Sequence, residues 1–288
     1  MNSFSIALLT KEQLDATNDF LNCSKKMGRE SVNKILISSD LVLEPGETGM
    51  ALSSLKEILP NAQFLLSLPE ILRPEDHGYL ESVRDFLLGQ SLFEGVVSGS
   101  LEGIGYFAKE KKNGTPIKIY GDHNLYLWNL EAIHAMEEML DGGCLPLELN
   151  TADQKVLLRS GFSFEKMIYG RIPMMLTANC VAKTRDACRA KDPKKRYDEI
   201  FLKDRMGKEM PVRLVCRHCF NVIYNSVPLS LHDTKDNYGN DVIFRISLTT
   251  EKSAETKAIL GFFLNDAGEG LRPPFPEYTT GREKKGAT

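Results

Sequence analysis

The chain has 288 residues, 42% of them hydrophobic and 26% charged, with a formal net charge of −3 at pH 7. This supplies apolar material for a large core and an ordinary polar surface, and it excludes wholesale electrostatic attraction to nucleic acid or to an anionic membrane. No apolar run reaches the length of a membrane span, and the opening residues, MNSFSIALLTKEQLDA, lack the basic start of a secretory signal. A cytoplasmic setting, in which thiols stay reduced, is the expectation.

Taken in order, short runs rich in Val, Ile and Leu predict strands over 4–9, 33–39, 62–68, 95–100, 116–121, 145–150, 164–170 and 241–248. Their lack of polar alternation suits parallel strands buried on both faces. Helical periodicity fills most intervals, in KEQLDATNDFL, MALSSLKEIL, YLESVRDFLLG, NLEAIHAMEEML, ADQKVLLRS and SAETKAILGFFL. Thr10 with Gln13 and Thr151 with Gln154 have capping-box spacing. Eight strands, mostly each followed by a helix, predict an α/β fold of the (β/α)8 TIM-barrel-like kind over residues 1–270. A doubly wound open sheet gives a similar string, but its GxGxxG turn is absent.

The alternation breaks once, in a cysteine-rich insert over 177–240 that follows the seventh strand. An insert placed there leaves the C-terminal end of a barrel strand, the face on which barrels carry chemistry. Its segment KTRDACRAKDPKKRYDE is too charged to be core. The tail, 271–288, contains prolines, ends basic and reads as extended or disordered.

Four of the six cysteines fall in the insert, as Cys180 and Cys188 (C-x7-C) and then Cys216 and Cys219 (C-x2-C). Clustered thiols in a reducing compartment suggest metal or redox chemistry before disulfides. The spacing is open to a structural zinc, an iron–sulfur cluster, a dithiol redox pair at CRHC, or unrelated buried thiols. His218, inside CRHC, is a possible competing ligand. Cys23 and Cys144 lie apart and are assigned no role.

The residues flanking these thiols carry a resemblance. The order YGRIPMMLTANC (169–180), LKDRMGKEMPVRLVCRHC (202–219) and YNSVPLSL (224–231) resembles peptidase family U-32, the collagenase-like peptidases. Fainter echoes lie in LPLELN (145–150), FRISLTTE (244–251) and YTTGREKKGAT (278–288). The resemblance implies a barrel and a 4Fe-4S cluster (zinc being the alternative) held by Cys180, Cys188, Cys216 and Cys219. It also implies one of two activities: oxygen-independent hydroxylation-type modification of RNA or a small aromatic molecule, or collagenase-like proteolysis. The glycine- and alanine-rich opening of long family members is not found here. The chain therefore looks like the C-terminal barrel of such a protein, with a separate N-terminal U-32 barrel domain or subunit as an expected partner. A non-catalytic, metal-stabilised docking module is a third reading.

Peptidase chemistry finds no HExxH, GxSxG or recognisable triad in support. Candidate catalytic residues sit at predicted strand ends or in the matching motifs: Arg171, Asp204, Arg205, Tyr224, Asn225 and Glu148, with Tyr169, Ser226, Asn150, Arg245 and Glu251 beside them. Each has a plainer reading. Asp204 and Arg205 could fix a loop, YNS could cap a turn, and Arg171 could pin a carboxylate. YGDHNLYLWN (120–129) offers Asp122, His123, Asn124, Tyr126 and Trp128 as a pocket or as packing. The basic stretches 183–196 and 281–285 leave RNA possible as a partner.

Overall fold

A computed structural model describes residues 3–24, 26–44, 48–191, 200–239, 242–264 and 272–286. Its strands are β1 (Ser3–Leu8), β2 (Val32–Ser38), β3 (Gln63–Ser67), β4 (Gly95–Ser98), β5 (Lys118–Gly121), β6 (Gly143–Cys144) and β7 (Phe164–Gly170), then β8 (Pro173–Thr177), β9 (Ile200–Lys203), β10 (Glu209–Val215), β11 (Phe220–Tyr224), β12 (Leu229–Ser230) and β13 (Ile243–Ser247). The helices are α1 (Lys11–Cys23), α2 (Lys26–Glu30), α3 (Ser39–Leu43), α4 (Thr48–Ile58), α5 (His77–Leu88), α6 (Leu101–Lys112), α7 (Leu130–Met136), α8 (Thr151–Leu158), α9 (Val181–Arg185) and α10 (Ser253–Leu264).

Strands β7, β13, β1, β2, β3, β4 and β5 are parallel neighbours in that order. The short β6 pairs with β7 and reaches β5 through a parallel bridge between Tyr120 and Gly142, so the ring nearly closes into an eight-stranded barrel. The continuous apolar runs have a direct cause. Ile35, Ile37, Phe64, Leu66, Val96 and Ile119 pack outward in the main core, while Leu36, Leu65, Val97 and Tyr120 form a second cluster of their own. A strand buried on both faces has no polar face to show.

The α1 capping box forms: Thr10 Oγ1 accepts from Gln13 N at 3.2 Å, and Gln13 Oε1 accepts from Leu9 N and Thr10 N. The second box does not. Asn150 caps α8, accepting from Asp153 N at 3.0 Å, and Gln154 turns inward to donate to Leu149 O at 2.7 Å. The sixth strand, expected over 145–150, is Gly143–Cys144 instead. Pro146 lacks the N–H a ladder needs, and the chain bends there toward α8. Helix α6 carries no counterpart among the expected helices because Gly103 and Gly105 weaken its pattern. At Gly103 the space is tight, since a Cβ would stand 2.7 Å from Ser98 Oγ and 2.9 Å from Leu68 Cδ1 and push those side chains aside.

Over 272–286 the tail packs against the barrel. Thr279 bridges to Leu229, and Glu283 is buried. Its carboxylate meets Lys166 Nζ at 2.7 Å, accepts from Thr151 Oγ1 at 2.8 Å and is hydrogen-bonded by Tyr238. The physical reason is Lys166, a buried cation on β7 that must find a counter-charge. No helix among the described residues is long and apolar enough to cross a membrane.

Candidate functional site at the barrel mouth

Between β7 and β13 the chain builds its own antiparallel sheet, in the order β8-β11-β10-β9. The sheet starts at Pro173 and returns at Tyr224, so it lies earlier than the expected span of 177–240. Strand β8 begins almost directly after β7, and Asn225 N donates back to Ile172 O at 2.9 Å. Both ends of the insert are therefore fixed at the C-terminal end of β7. Its far end, the Cys216–Cys219 turn, sits on loops that follow β2 and β3, which lie across the ring from β7. The sheet is thus laid across the barrel's C-terminal mouth.

Alternation on β10 and β11 gives the sheet two buried faces. Val215, Phe220, Val222 and Tyr224 pack with Ile71 of the β3 loop. Val212 and Ile223 pack on the other side with Ile200 and Ala182. On the barrel side Arg213 forms an ion pair with Glu70. Burial raises the pKa of Tyr224, with Arg213 opposing the shift.

His218 fastens the far end. Its ring is fully enclosed, with Nδ1 2.8 Å from Asp76 Oδ1 and Nε2 3.4 Å from Asp40 Oδ1, edge-on to Tyr79 at 4.6 Å. Arg217 Nε lies 3.5 Å from Asp40, and Arg73 donates to the His218 carbonyl. Burial acts to lower the His218 pKa, but the two carboxylates outweigh it and hold it above the ordinary value. For Asp40, burial is outweighed by His218 and Arg217, and its pKa is lowered. The histidine contribution is therefore full below the ordinary imidazole pKa and lost as pH rises through the raised one. The aspartate contribution is present above the ordinary carboxylate pKa and lost as pH falls through the lowered one. We predict that hydrogen-exchange protection of β10 and β11, relative to β1–β3, falls as pH rises from the ordinary imidazole pKa through the raised one. In His218→Gln that pH dependence should disappear; its persistence would place the anchor elsewhere. His218 is thus engaged as an anchor rather than as a spare ligand.

The four insert thiols approach one end of the sheet. Thr177 pairs with Asn221, so the antiparallel register carries β8 onward to Cys180 as β11 runs back to Cys219. Asn221 Nδ2 ties this end together, donating to Thr177 O at 3.1 Å and Asn179 O at 3.2 Å. The turn 189–191, directly after Cys188, packs against the turn 216–218. None of the four is in a disulfide; three are half-buried and Cys219 is exposed. Among the described residues no three His, Cys, Asp or Glu side chains are gathered closely enough to hold a metal ion. Cys219 has φ 51°, and Tyr126, in the loop after β5, has φ 57°. These are the two left-handed non-glycine residues among those described, each costing about 1–3 kcal/mol, and strain of this kind gathers at functional sites.

Beneath the insert sheet the barrel holds a buried charge cluster. Glu165 Oε1 lies 3.0 Å from Lys34 Nζ, and Oε2 takes Arg245 Nε at 2.7 Å and Ser5 Oγ at 2.8 Å. Arg245 Nη1 reaches Asp122, which holds His123 Nδ1 at 3.1 Å. Lys34 Nζ sits 4.1 Å from the centre of the Tyr120 ring. Burial alone would raise the Glu165 pKa, but Arg245 and Lys34 hold it below the ordinary value. Asp122 is likewise held low by Arg245 and His123 against its burial. Arg245 Nη2 and Glu148 Oε2 are buried without a hydrogen-bond partner among the described residues. Burial pushes the Cys144 thiol up to about 12, so it stays protonated at neutral pH.

The remaining candidates separate. Arg171 donates to Thr250 Oγ1 and to the carbonyls of Asn225 and Ser226, so it fixes the YNS turn. Asp204 accepts from Met206 N and Lys208 N in the β9–β10 turn, and Arg205 is exposed beside it. Tyr169 donates to Glu251 Oε1 at 2.9 Å. Part of the basic stretch 183–196 lies outside the described residues, while Lys284 and Lys285 are exposed. The lumen charges Lys34 and Glu165 had no place among the sequence candidates. The signal that could have found them is a charged residue at a lone position inside an apolar strand run.

No family model matches the chain, and no curated protein matches it. Among solved structures, an L-Ala-D/L-Glu epimerase is 10% identical with a TM-score of 0.34, over 58% of this chain and 50% of its own. A conserved Enterococcus faecalis protein of unknown function is 11% identical with a TM-score of 0.40, over 92% and 66%. The Bacillus cereus spore cortex-lytic enzyme SleL is 12% identical with a TM-score of 0.40, over 89% and 73%. The chain spans half the length of the epimerase it matches.

Proposed function

We propose that this chain is a metal-bearing barrel of the U-32 peptidase type, in which Cys180, Cys188, Cys216 and Cys219 hold a 4Fe-4S cluster, with zinc the alternative occupant. One observation supports this most: the register of β8 and β11 and the packing of 189–191 on 216–218 bring all four thiol-bearing segments to one end of a sheet that roofs the barrel mouth. Four cysteines outside any disulfide match the number and chemistry of such a group's ligands. Bound there, a cluster would supply one-electron transfer beside the mouth.

The activity we propose is oxygen-independent hydroxylation-type modification of RNA or of a small aromatic molecule. The chain's own residues suit an acid–base and binding role in it. Asp122 orients His123 through Nδ1, leaving Nε2 to take or give a proton. Lys34 and Arg245, paired with Glu165 and Asp122, make the lumen below a fixed polar environment under the mostly apolar underside of the insert sheet.

A second reading, a non-catalytic module docking on a partner domain, is favoured by the edge strand β8. Met174 is 60% exposed and Met175 57%, beside Leu176. Long exposed apolar edges invite pairing with another chain. Proteolysis has less behind it. Ser230 Oγ lies 2.8 Å from His232 Nδ1, but Ser230 is only 1% exposed and His232 packs on Phe262 and Tyr278.

Reconstitution with iron and sulfide under anaerobic conditions tests the ligand set. The visible absorption of a thiolate-held cluster should form in the parent protein and drop at least severalfold in Cys188→Ser and Cys216→Ser, while Cys23→Ser leaves it intact. Equal colour in all four proteins would defeat the assignment.

A further inference from the structure

We propose that a cavity at the C-terminal ends of β7 and β13, separate from the thiol site, binds a cationic amino acid of the arginine or lysine kind. The cavity has a volume of about 320 Å³, within the range of small-molecule sites. It lies where barrel strands end, and its outer wall is the folded tail, through Pro274, Phe275 and Pro276.

Its polar groups are held in place before any ligand arrives. Arg171, in the wall, has Nε fixed by Thr250 Oγ1 at 3.0 Å and Nη1 by the carbonyls of Asn225 and Ser226 at 3.1 and 2.6 Å. Its Nη2 is the guanidinium nitrogen with no partner among the described residues. A guanidinium fixed in this way offers a carboxylate its remaining donors at little entropic cost. Three carboxylates share the cavity, Glu251, Glu255 and Glu277. Glu251 is occupied by Tyr169 and Thr249. Glu255 and Glu277 each use one oxygen, on Lys252 N at 2.9 Å and on Lys208 Nζ at 3.1 Å, and each has one oxygen left.

Arg171 in the wall and Lys208 on Glu277 leave three carboxylates in excess of two cations, so the cavity disfavours phosphates and dicarboxylates. It favours a ligand of net positive charge that still carries one anionic end. Phe275, Ile259 and the proline walls suit an aliphatic stem between the two ends. A free α-amino acid with a cationic side chain meets all three conditions. Its carboxylate would lie on Arg171 and its ammonium or guanidinium on Glu255 and Glu277.

Calorimetric titration of the full chain with L-arginine and with agmatine, which lacks the carboxylate, tests this directly. Saturable binding of L-arginine is expected, with agmatine about tenfold weaker because the Arg171 contact is lost. Glu277→Gln, an exposed change that leaves folding alone, should weaken L-arginine about threefold or more, and Glu255→Gln with Glu277→Gln about tenfold or more. The same results should be obtained with and without metal, so loss of the iron–sulfur reading would not touch them. Absence of saturable L-arginine binding, equal affinity for agmatine, or unchanged affinity in the double variant would each overturn the proposal.

Discussion

Glu165→Ala should cost about 3–5 kcal/mol of folding stability, because removing one member of a buried ion cluster leaves the others uncompensated. Three groups converge on this carboxylate: Lys34 at 3.0 Å, Arg245 at 2.7 Å and Ser5 at 2.8 Å, all inside the barrel wall. Without it, among the described residues Lys34 retains the Tyr120 ring face and Arg245 retains Asp122. Because the folded pKa of Glu165 is depressed, its contribution is present above the ordinary carboxylate pKa and lost as pH falls through the lowered value. Urea denaturation at neutral pH reads the loss as a lower midpoint at unchanged slope. A loss under about 1 kcal/mol would mean that water reaches the lumen and screens the cluster.

The second large effect lies in the tail. Glu283→Ala should also cost about 3–5 kcal/mol, since Lys166 is buried and the Glu283 carboxylate is its ion-pair partner at 2.7 Å. Thr151 and Tyr238 lose an acceptor in the same variant. Burial already pulls the Lys166 pKa down, with Glu283 opposing it, so the lone lysine in Glu283→Ala should shed its proton more readily. Replacing the pair together, as Lys166→Met with Glu283→Leu, should recover much of the loss, because apolar packing there needs no counter-charge. Thermal melts of the parent and the two variants decide this. A tail that contributes nothing would leave the melting temperature of Glu283→Ala unchanged.

How much of this was legible follows from what each pattern depends on. Runs such as NKILISS and FEKMIYG announce barrel strands because both faces are buried. β6 escaped because two residues carry no periodicity, and the apolar run beside it contains Pro146. The insert sheet escaped because its strands alternate between an underside packed on Ile71 and a face packed on Ala182, a pattern the expected continuous runs do not match. Thiol spacing pointed to the far end of that sheet, yet no spacing could show that His218 turns from the thiols to Asp40 and Asp76. Glu283 sits in a run, GREKK, whose composition reads as solvated; only the buried Lys166 explains its position.

Whether the four insert thiols hold iron or zinc decides the proposed function. The most direct measurement is elemental: iron, acid-labile sulfide and zinc per chain in protein purified without oxygen. About four irons and four sulfides per chain, with zinc absent, is the predicted result. A colourless protein with one zinc and no iron would contradict it.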